Sequence, residues 1–181
     1  DRLISASITS GQDDVMLVTS AGKAIRFNES DVRSMGRTAR GVRGVRMDDD
    51  TSVIALIIPR EGGRVLTASV HGYGKQTAVD DFPLRGRGGQ GVIAMQCTER
   101  NGDLAGAVQG LEGDDVMLIS DRGTLVRTRG DEISVLGRNT QGVMLIRLAE
   151  GEKLSGLARI EEPDEEELDA ESTTESDTES E

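Results

Sequence analysis

Gly36-Arg37-Thr38-Ala39-Arg40-Gly41-Val42 is the first of three related segments in this sequence. It recurs as Gly86-Arg87-Gly88-Gly89-Gln90-Gly91-Val92 and again as Gly137-Arg138-Asn139-Thr140-Gln141-Gly142-Val143, at offsets of 50 and 51 residues. The same offsets align a turn glycine at positions 22, 72 and 123, and an acidic residue at positions 31, 81 and 132. Independent features that share one offset indicate tandem repeats of a single structural unit.

Each repeat is predicted to contain four short strands separated by turns, without convincing helical periodicity. The predicted strands are 3–9, 14–20, 23–28 and 42–47, then 53–58, 64–70, 75–79 and 92–97, then 104–109, 115–120, 124–129 and 143–148. Residues 154–160 are predicted to open a fourth unit or to close the third. Four-stranded units at this spacing are typical of propeller blades. We therefore predict an all-β, propeller-like fold of three blades.

The predicted blade repeats are 1–55, 56–107 and 108–160, and the last of these includes the closing strand. Because blades bury their faces against neighbouring blades, three of them are expected to form part of a larger ring. The chain also starts abruptly in a predicted strand, so we expect a segment of a longer protein.

The formal net charge of -12 comes from the end of the chain. Residues 1–160 contain 21 basic and 21 acidic residues, and the other 12 acidic residues lie in 161–181, which has no Lys or Arg. A run of like charges with few apolar residues is predicted to be disordered. This acidic tail could compete for the arginines of the chain, or it could only keep the protein soluble; the sequence leaves both roles open.

A Gly/Arg loop lies between the third and fourth predicted strands of every repeat. In the first repeat it carries five arginines and no acidic residue between positions 32 and 47. Arginine binds phosphate oxygens through two parallel hydrogen bonds, and glycine lets backbone amides come close. One such loop per blade would form a band of cations that suits a bent DNA duplex. The predicted DNA-binding residues are Lys23, Arg26, Arg33, Arg37, Arg40, Arg43, Arg46, Lys75, Arg85, Arg87, Arg122, Arg127, Arg129 and Arg138.

Two other interpretations of the same loops stay open. The arginines could be a solvated surface balanced by equal numbers of acids, or the loops could carry partner specificity in a protein-interaction propeller. Single-stranded nucleic acid is disfavoured, because Phe27, Phe82 and Tyr73 are the only aromatic residues available to stack on bases.

Several strings in the sequence resemble the C-terminal domain of the bacterial DNA gyrase A subunit. The strings are DDVMLVTSAGKAIRF (13–27), HGYGKQTAV (71–79), TERNG (98–102), GTLVRT (123–128) and ISVLGRNTQGVMLIR (133–147). They occur in the order and spacing of the family, and the resemblance runs through residues 1–160. The topoisomerase IV A-type subunit is the nearest relative, but regular repeats and an acidic tail favour gyrase.

The resemblance implies a six-bladed β-pinwheel in which neighbouring blades exchange strands, and this chain matches about the last three blades. It further implies that double-stranded DNA wraps around the basic perimeter, so that a type IIA topoisomerase introduces negative supercoils. The implied partners are DNA, the gyrase B subunit and the remaining domains of the gyrase A subunit. The implied location is the bacterial cytoplasm, in association with the nucleoid and not with a membrane. ATP and Mg²⁺ are expected elsewhere in the holoenzyme, and no cofactor is expected in this chain.

The basic glycine box of the family, Gln-Arg-Arg-Gly-Gly-Arg-Gly, has only a degenerate counterpart here. The most similar string is Arg85-Gly86-Arg87-Gly88-Gly89-Gln90-Gly91, which lacks one central arginine and the last arginine. In the family this box lies in the first blade. The strongest wrapping element is therefore expected outside these residues.

No catalytic or metal-binding residue is predicted. The glycines at 86, 88 and 91 fit a dinucleotide fingerprint, but a strand and not a helix is predicted to follow them. Tyr73 is predicted to be a surface turn residue, because it lies in a Gly-Tyr-Gly turn. The resemblance also implies that the DNA-cleaving tyrosine of the family lies in the N-terminal portion of the parent protein. Cys97 aligns with Met47 and Leu148 and is predicted to be a small core residue, and His71 has no second ligand nearby for zinc.

Overall fold

The computed structural model describes residues 2–110 and 113–160, and the regular structure of that part of the chain consists of β-strands and short 3-10 turns. The strands, numbered in chain order, are β1 (Asp14–Thr19), β2 (Lys23–Asn28), β3 (Val53–Ile57), β4 (Arg64–Ser69), β5 (Tyr73–Ala78), β6 (Val92–Ile93), β7 (Leu104–Gly110), β8 (Asp115–Ser120), β9 (Leu125–Arg129), β10 (Val143–Met144) and β11 (Leu154–Ile160). The predicted all-β class is confirmed. The predicted acidic tail, 161–181, lies outside the described residues.

The strands form three antiparallel sheets. Their orders are β3-β1-β2-β6, β10-β5-β4-β7 and, among the described residues, β11-β8-β9. Each sheet is built on a hairpin, β1–β2, β4–β5 or β8–β9, and the first strand of that hairpin also pairs with a later strand, which is β3, β7 or β11 respectively. In the first two sheets the remaining edge is supplied from further along the chain, by β6 and β10. Strand exchange between neighbouring blades, which the resemblance implied, is therefore present.

The hydrophobic core lies between successive sheets. Alternate residues of a strand point to opposite faces, and Met16 and Val18 of β1 are fully buried together with Val65 of β4. A second core joins Leu66 of β4 to Leu118 of β8. Neighbouring blades thus stabilise each other through apolar contact, as expected for a propeller-like arrangement.

Two predicted strands differ from the structure. Residues 3–9 and 42–47 are not strands. Residues 42–47 occupy the repeat position of β6 and β10, which pair with the hairpin of the preceding repeat. The described residues contain no hairpin from a repeat before the first one, so residues 42–47 have no equivalent strand to pair with. The predicted unit boundaries at 55, 107 and 160 stay predictions.

The fourth strands of the second and third repeats are also shorter than predicted. Strands were expected at 92–97 and 143–148, but only Val92–Ile93 and Val143–Met144 form ladders. After Ile93 the chain bends around the turn of the β1–β2 hairpin, because the amides of the next two residues both donate to the carbonyl of Gly22 in that turn. The equivalent amides after Met144 donate to the carbonyl of Gly72. The hairpin turn thus ends the ladder in both repeats.

Among the described residues, no helix has the length and apolar character that crossing a membrane requires.

Candidate nucleic-acid interface

The three Gly–Arg loops follow equivalent 3-10 turns at Glu29–Asp31, Val79–Asp81 and Gly130–Glu132. We call them loop 1 (33–46), loop 2 (83–91) and loop 3 (134–142). The amide of the residue after each turn donates to the carbonyl of its first residue. In the second and third repeats that residue, Phe82 or Ile133, is buried in the core. These loops therefore start from a fixed point of the fold.

Loops 1 and 2 are in direct contact through their backbones. The amide of Gly88 donates to the carbonyl of Gly44 at 2.7 Å, and the amide of Arg46 donates to the carbonyl of Gly89 at 2.8 Å. The segment that follows β6 contacts loop 3 in the same way, since the amide of Gln96 donates to the carbonyl of Thr140 at 2.9 Å. The structure thus joins loops 1 and 2 directly and connects loop 3 to the segment that follows loop 2.

Most of the predicted DNA-binding arginines are exposed. Within residues 2–110 and 113–160, eight of them are exposed and their side chains form no hydrogen bond or ion pair: Arg33, Arg37, Arg40, Arg43, Arg46, Arg85, Arg122 and Arg129. Five of these eight belong to loop 1, which is the highest local density of free cations among them. Arg122 lies in the turn between β8 and β9 and Arg129 is the last residue of β9, so neither belongs to one of the three loops. DNA contact by these side chains stays a prediction.

Lys23 and Arg46 line the same cavity, although they are far apart in sequence. The cavity has a volume of about 180 Å³ and also involves Gln90 of loop 2 and Asp48. The ammonium of Lys23 makes no hydrogen bond or ion pair to the part of the chain that is described. Two cations therefore face one opening at the junction of the first two repeats.

Arg26 and Arg127 are equivalent residues that are already engaged with carboxylates. Arg26 forms a salt bridge with Asp14 at 2.8 Å, and its Nη1 also donates to the carbonyls of Val79 and Phe82 at 3.3 Å. Arg127 forms a 2.5 Å salt bridge with Asp115 but keeps 57% of its side chain exposed. Arg26 therefore joins the first repeat to the second, which argues against its predicted contact with DNA, whereas Arg127 remains accessible.

Arg87 and Arg138 hold an equivalent position in loops 2 and 3, and both donate to the preceding repeat. Nη1 of Arg87 lies 2.6 Å from the carbonyl oxygen of Arg43, and its Nε lies 3.2 Å from that of Asp31. Nη1 of Arg138 lies 2.9 Å from the carbonyl oxygen of Ile93. Both side chains are half-buried at the junctions between repeats.

Lys75 is fully buried, so its predicted contact with DNA is disfavoured by its position. Its ammonium donates to the carbonyl of Gly137 at 2.5 Å and to that of Arg138 at 2.6 Å. Burial, reinforced by the positive charge of Arg138, lowers the pKa of Lys75 from 10.5 to about 8, and Asp81 acts in the opposite direction. Lys75 thus binds loop 3 to the second sheet.

Three polar residues that the sequence prediction missed, Arg100, Asn101 and Glu152, support the turns beside the loops. Arg100 stacks over the ring of Tyr73 at 4.3 Å and donates to the carbonyl of Gly142 at 3.0 Å. Asn101 is fully buried and donates to the carbonyls of Gln96 and Gln141, each at 2.8 Å. Asn101 occupies the repeat position of Thr51 and Glu152, and a polar residue in all three repeats was the available signal.

Glu152, at the equivalent place in the third repeat, accepts hydrogen bonds from the hydroxyls of Ser120 and Thr124 and from the amide of Ala149. These hydrogen bonds lower the pKa of Glu152 to about 2. The carboxylate therefore stays ionised and connects the β8–β9 turn to the turn before β11.

The residues set aside as non-catalytic lie in structural surroundings. Tyr73 begins β5 and packs, half-buried, against the first core, so it is less exposed than the predicted surface turn residue. Cys97 packs against the same core, and burial raises its pKa, with Asp103 adding to the effect. Nδ1 of His71 lies 3.0 Å from the carbonyl oxygen of Arg100. The described residues contain no cluster of His, Cys, Asp and Glu that could hold a metal ion.

Comparison with known proteins gives one consistent family. A family model described as "DNA gyrase C-terminal domain, beta-propeller" matches residues 13–60, 63–109 and 114–161. The chain is 61% identical to the DNA gyrase A subunit of Pseudomonas aeruginosa over 163 residues, covering 90% of this chain and 18% of that protein. It is 57% identical to the DNA gyrase A subunit of Salmonella typhimurium over 171 residues, covering 94% and 20%. The chain thus spans about a fifth of the length of these relatives.

Solved structures share the fold. The C-terminal domain of DNA topoisomerase IV superposes with a TM-score of 0.82 at 21% identity, over 93% of this chain and 53% of that one. The DNA gyrase A C-terminal domain superposes with a TM-score of 0.77 at 24% identity, over 83% of this chain and 51% of that one.

Proposed function

Because the chain belongs to the DNA gyrase C-terminal domain family, we propose that it binds and wraps double-stranded DNA as a non-catalytic part of a gyrase A subunit. In this proposal the parent protein is an ATP-dependent type IIA topoisomerase that introduces negative supercoils. ATP and Mg²⁺ act elsewhere in the holoenzyme, and the partners are the gyrase B subunit, together with the other domains of the A subunit. The bacterial cytoplasm, in contact with the nucleoid, is the corresponding location.

Loop 1 is the observation that carries this proposal. Its five arginines are exposed, and within the described residues none of their side chains forms an ion pair, although the chain is rich in carboxylates. Free guanidinium groups on a glycine-containing loop suit phosphate oxygens, which accept paired hydrogen bonds from the arginine fork. The contact between loops 1 and 2 extends this cationic surface into the next repeat.

The absence of a catalytic role in this segment is supported by how its reactive side chains are used. The Tyr73 ring is covered by Arg100, and the raised pKa of Cys97 disfavours the thiolate that a nucleophilic cysteine needs. These surroundings support a segment without a catalytic role. Binding in this proposal depends on the arginine charges and on DNA bending, with little direct reading of bases.

Salt dependence tests the proposal. Binding to a linear duplex should weaken by about a thousandfold between 50 and 200 mM salt if roughly six phosphates are contacted, because each contact releases counterions. Fluorescence anisotropy at four or five salt concentrations gives the slope of log affinity against log salt. A flat response would contradict duplex binding and would favour the protein-interaction propeller.

Wrapping requires a second measurement, because binding alone does not bend DNA. Nicked circular DNA is sealed by ligase with and without the protein, and the linking-number distribution is then compared on a gel. We expect a shift of one sign that grows with protein concentration. An unchanged distribution with intact binding would leave a DNA-binding domain that does not wrap.

A further inference from the structure

Arg87 and Arg138 make the same contact at two successive junctions between repeats. The two arginines are 51 residues apart, and the residues whose carbonyls they contact, Arg43 and Ile93, are 50 apart. A backbone hydrogen bond accompanies each contact at matching positions, from Arg46 to Gly89 and from Gln96 to Thr140. The side-chain and backbone hydrogen bonds therefore recur together at both junctions between repeats.

We propose that Arg87 and Arg138 are positioning residues that tie each Gly–Arg loop to the preceding repeat. Phosphate contact is then left to exposed arginines such as Arg43 and Arg37. The tie itself is a property of the free chain, and only its consequence for DNA affinity rests on the proposed function.

The geometry of Arg87 explains why this position carries an arginine. Two different nitrogens of one guanidinium reach the carbonyls of Asp31 and Arg43, which lie 12 residues apart. The planar fork of arginine presents several donors in fixed directions, whereas the single ammonium of lysine cannot span separated acceptors equally well. A hydrogen bond from a charged donor is also stronger than one between neutral groups.

Loop 2 needs such a tie because its own residues restrain it poorly. Three of the residues between 86 and 89 are glycines, which lose more conformational freedom on ordering than other residues. Holding the Arg87 side chain on loop 1 fixes this segment beside Gly44 and Arg46, so the cations of loop 1 and Arg85 keep a constant spacing.

Arg37 and Arg43 provide matched controls. Arg37 occupies the repeat position of Arg87 and Arg138, but its side chain is exposed and contacts no hydrogen-bond partner in the described part of the chain. Arg43 contributes only its carbonyl to the tie, and its side chain is also exposed. A lysine at either position keeps the charge and removes no described side-chain contact.

Amide hydrogen exchange, measured by NMR on the free chain, tests the tie without DNA. In Arg87→Lys we expect the amides of Gly88 and Arg46 to exchange about tenfold faster, the effect of losing one charge-assisted hydrogen bond. Exchange in the β4–β7 ladder should not change, which separates a local tie from general destabilisation. Arg37→Lys should leave Gly88 and Arg46 as protected as in the parent chain.

Unchanged protection of Gly88 and Arg46 in Arg87→Lys would overturn the proposal, whatever the DNA measurements show. If this variant does not fold, Arg138→Lys is measured at the amide of Gln96, which donates to Thr140. Faster exchange at Gln96 then supports the tie, and unchanged exchange overturns it.

DNA binding gives a separate readout. Arg87→Lys should lower affinity about fivefold while the slope of log affinity against log salt stays constant, because no charge is removed. Arg60→Lys, at an exposed arginine outside the three loops, should retain the affinity of the parent chain. Wild-type affinity in Arg87→Lys would show that only the charge at position 87 matters and would overturn the positioning role. If the parent chain does not bind DNA, the proposed function fails and the exchange measurement still decides the tie.

Discussion

Lys75 shows how a single residue can change its role between repeats. The equivalent positions hold Ile25, which is buried among apolar residues, and Val126, which packs against the second core. In the second repeat the same site holds a long cationic side chain whose ammonium donates hydrogen bonds to the carbonyls of Gly137 and Arg138. Burying an ammonium is unfavourable unless its hydrogen-bond donors are satisfied, and the lowered pKa of Lys75 reflects that penalty.

The charge of Lys75 should make stability depend on pH. Because its folded pKa of about 8 lies below 10.5, the folded protein binds fewer protons than the unfolded chain between those pH values. The free energy of unfolding contributed by this group should therefore rise with pH from about 8 to 10.5. Urea titrations at several pH values in this range give the free energy of unfolding as a function of pH. This free energy should rise more steeply with pH for the parent chain than for Lys75→Met, and an equal pH dependence would contradict the burial of the charge.

At the scale of elements, the fit between a loop and the neighbouring sheet depends on glycine. Gly142 has a φ of +73°, and a Cβ at that position would lie 2.5 Å from the carbonyl oxygen of Gly74 in β5. Gly41, its counterpart in loop 1, has a φ of +81° and nothing within 4 Å of such a Cβ. The same glycine therefore serves only the turn in one repeat, and both the turn and the close approach in another.

Substitution of these glycines should separate the two effects. Gly41→Ala should lower the free energy of unfolding by about 1 kcal/mol, the cost of a left-handed conformation for a residue with a side chain. Gly142→Ala should cost about 2–4 kcal/mol, because the backbone of β5 must also move. Urea unfolding of both variants measures the difference, and equal costs would mean that β5 yields easily.

The three loops should also contribute unequally to DNA binding. The triple substitution of Arg37, Arg40 and Arg43 by Ala removes three exposed cations and should reduce the salt slope by about 2.7. Arg138→Ala should weaken binding less, because its guanidinium already contacts Ile93 and it is a single charge. Anisotropy titrations over the same salt series provide the comparison. Equal effects would contradict loop 1 as the strongest local contact.

At the scale of the whole molecule, a neighbouring sheet determines whether an apolar face is core or surface. Met16, Val18 and Ala24 of the first sheet are buried against the second sheet. The equivalent Ile119 and Leu125 of the third sheet are 38% and 58% exposed. The repeats share a pattern of side chains, but the described residues provide a covering sheet only for the first two.

Matched truncations should reveal this difference. Val18→Ala should lower the free energy of unfolding by about 2 kcal/mol through lost burial and a cavity. Ile119→Ala removes more carbon atoms at the equivalent place, yet should cost less than Val18→Ala, because Ile119 is 38% exposed whereas Val18 is fully buried. Denaturant titration of the two variants measures the costs. A larger loss for Ile119→Ala would mean that its face is covered in solution.

The amino-acid sequence by itself determined the repeat, the hairpins β1–β2, β4–β5 and β8–β9, and the position of the Gly–Arg loops. The hairpins and loops depend on alternation and turn glycines within about 20 residues, and the repeat depends on offsets of 50 and 51 residues, all of which can be read along the chain. Membership of the gyrase C-terminal domain family follows from the same local strings.

Only the tertiary structure decided which cations are free. Arg33, Arg37 and Arg43 are exposed, whereas Arg87 ties loop 2 to loop 1 and Lys75 is buried beneath loop 3. The pairing of β6 and β10 with the preceding hairpins was decided in the same way. These outcomes depend on contacts between residues about 40 to 70 positions apart, and the identity of a residue does not specify which distant carbonyl or carboxylate will lie beside it.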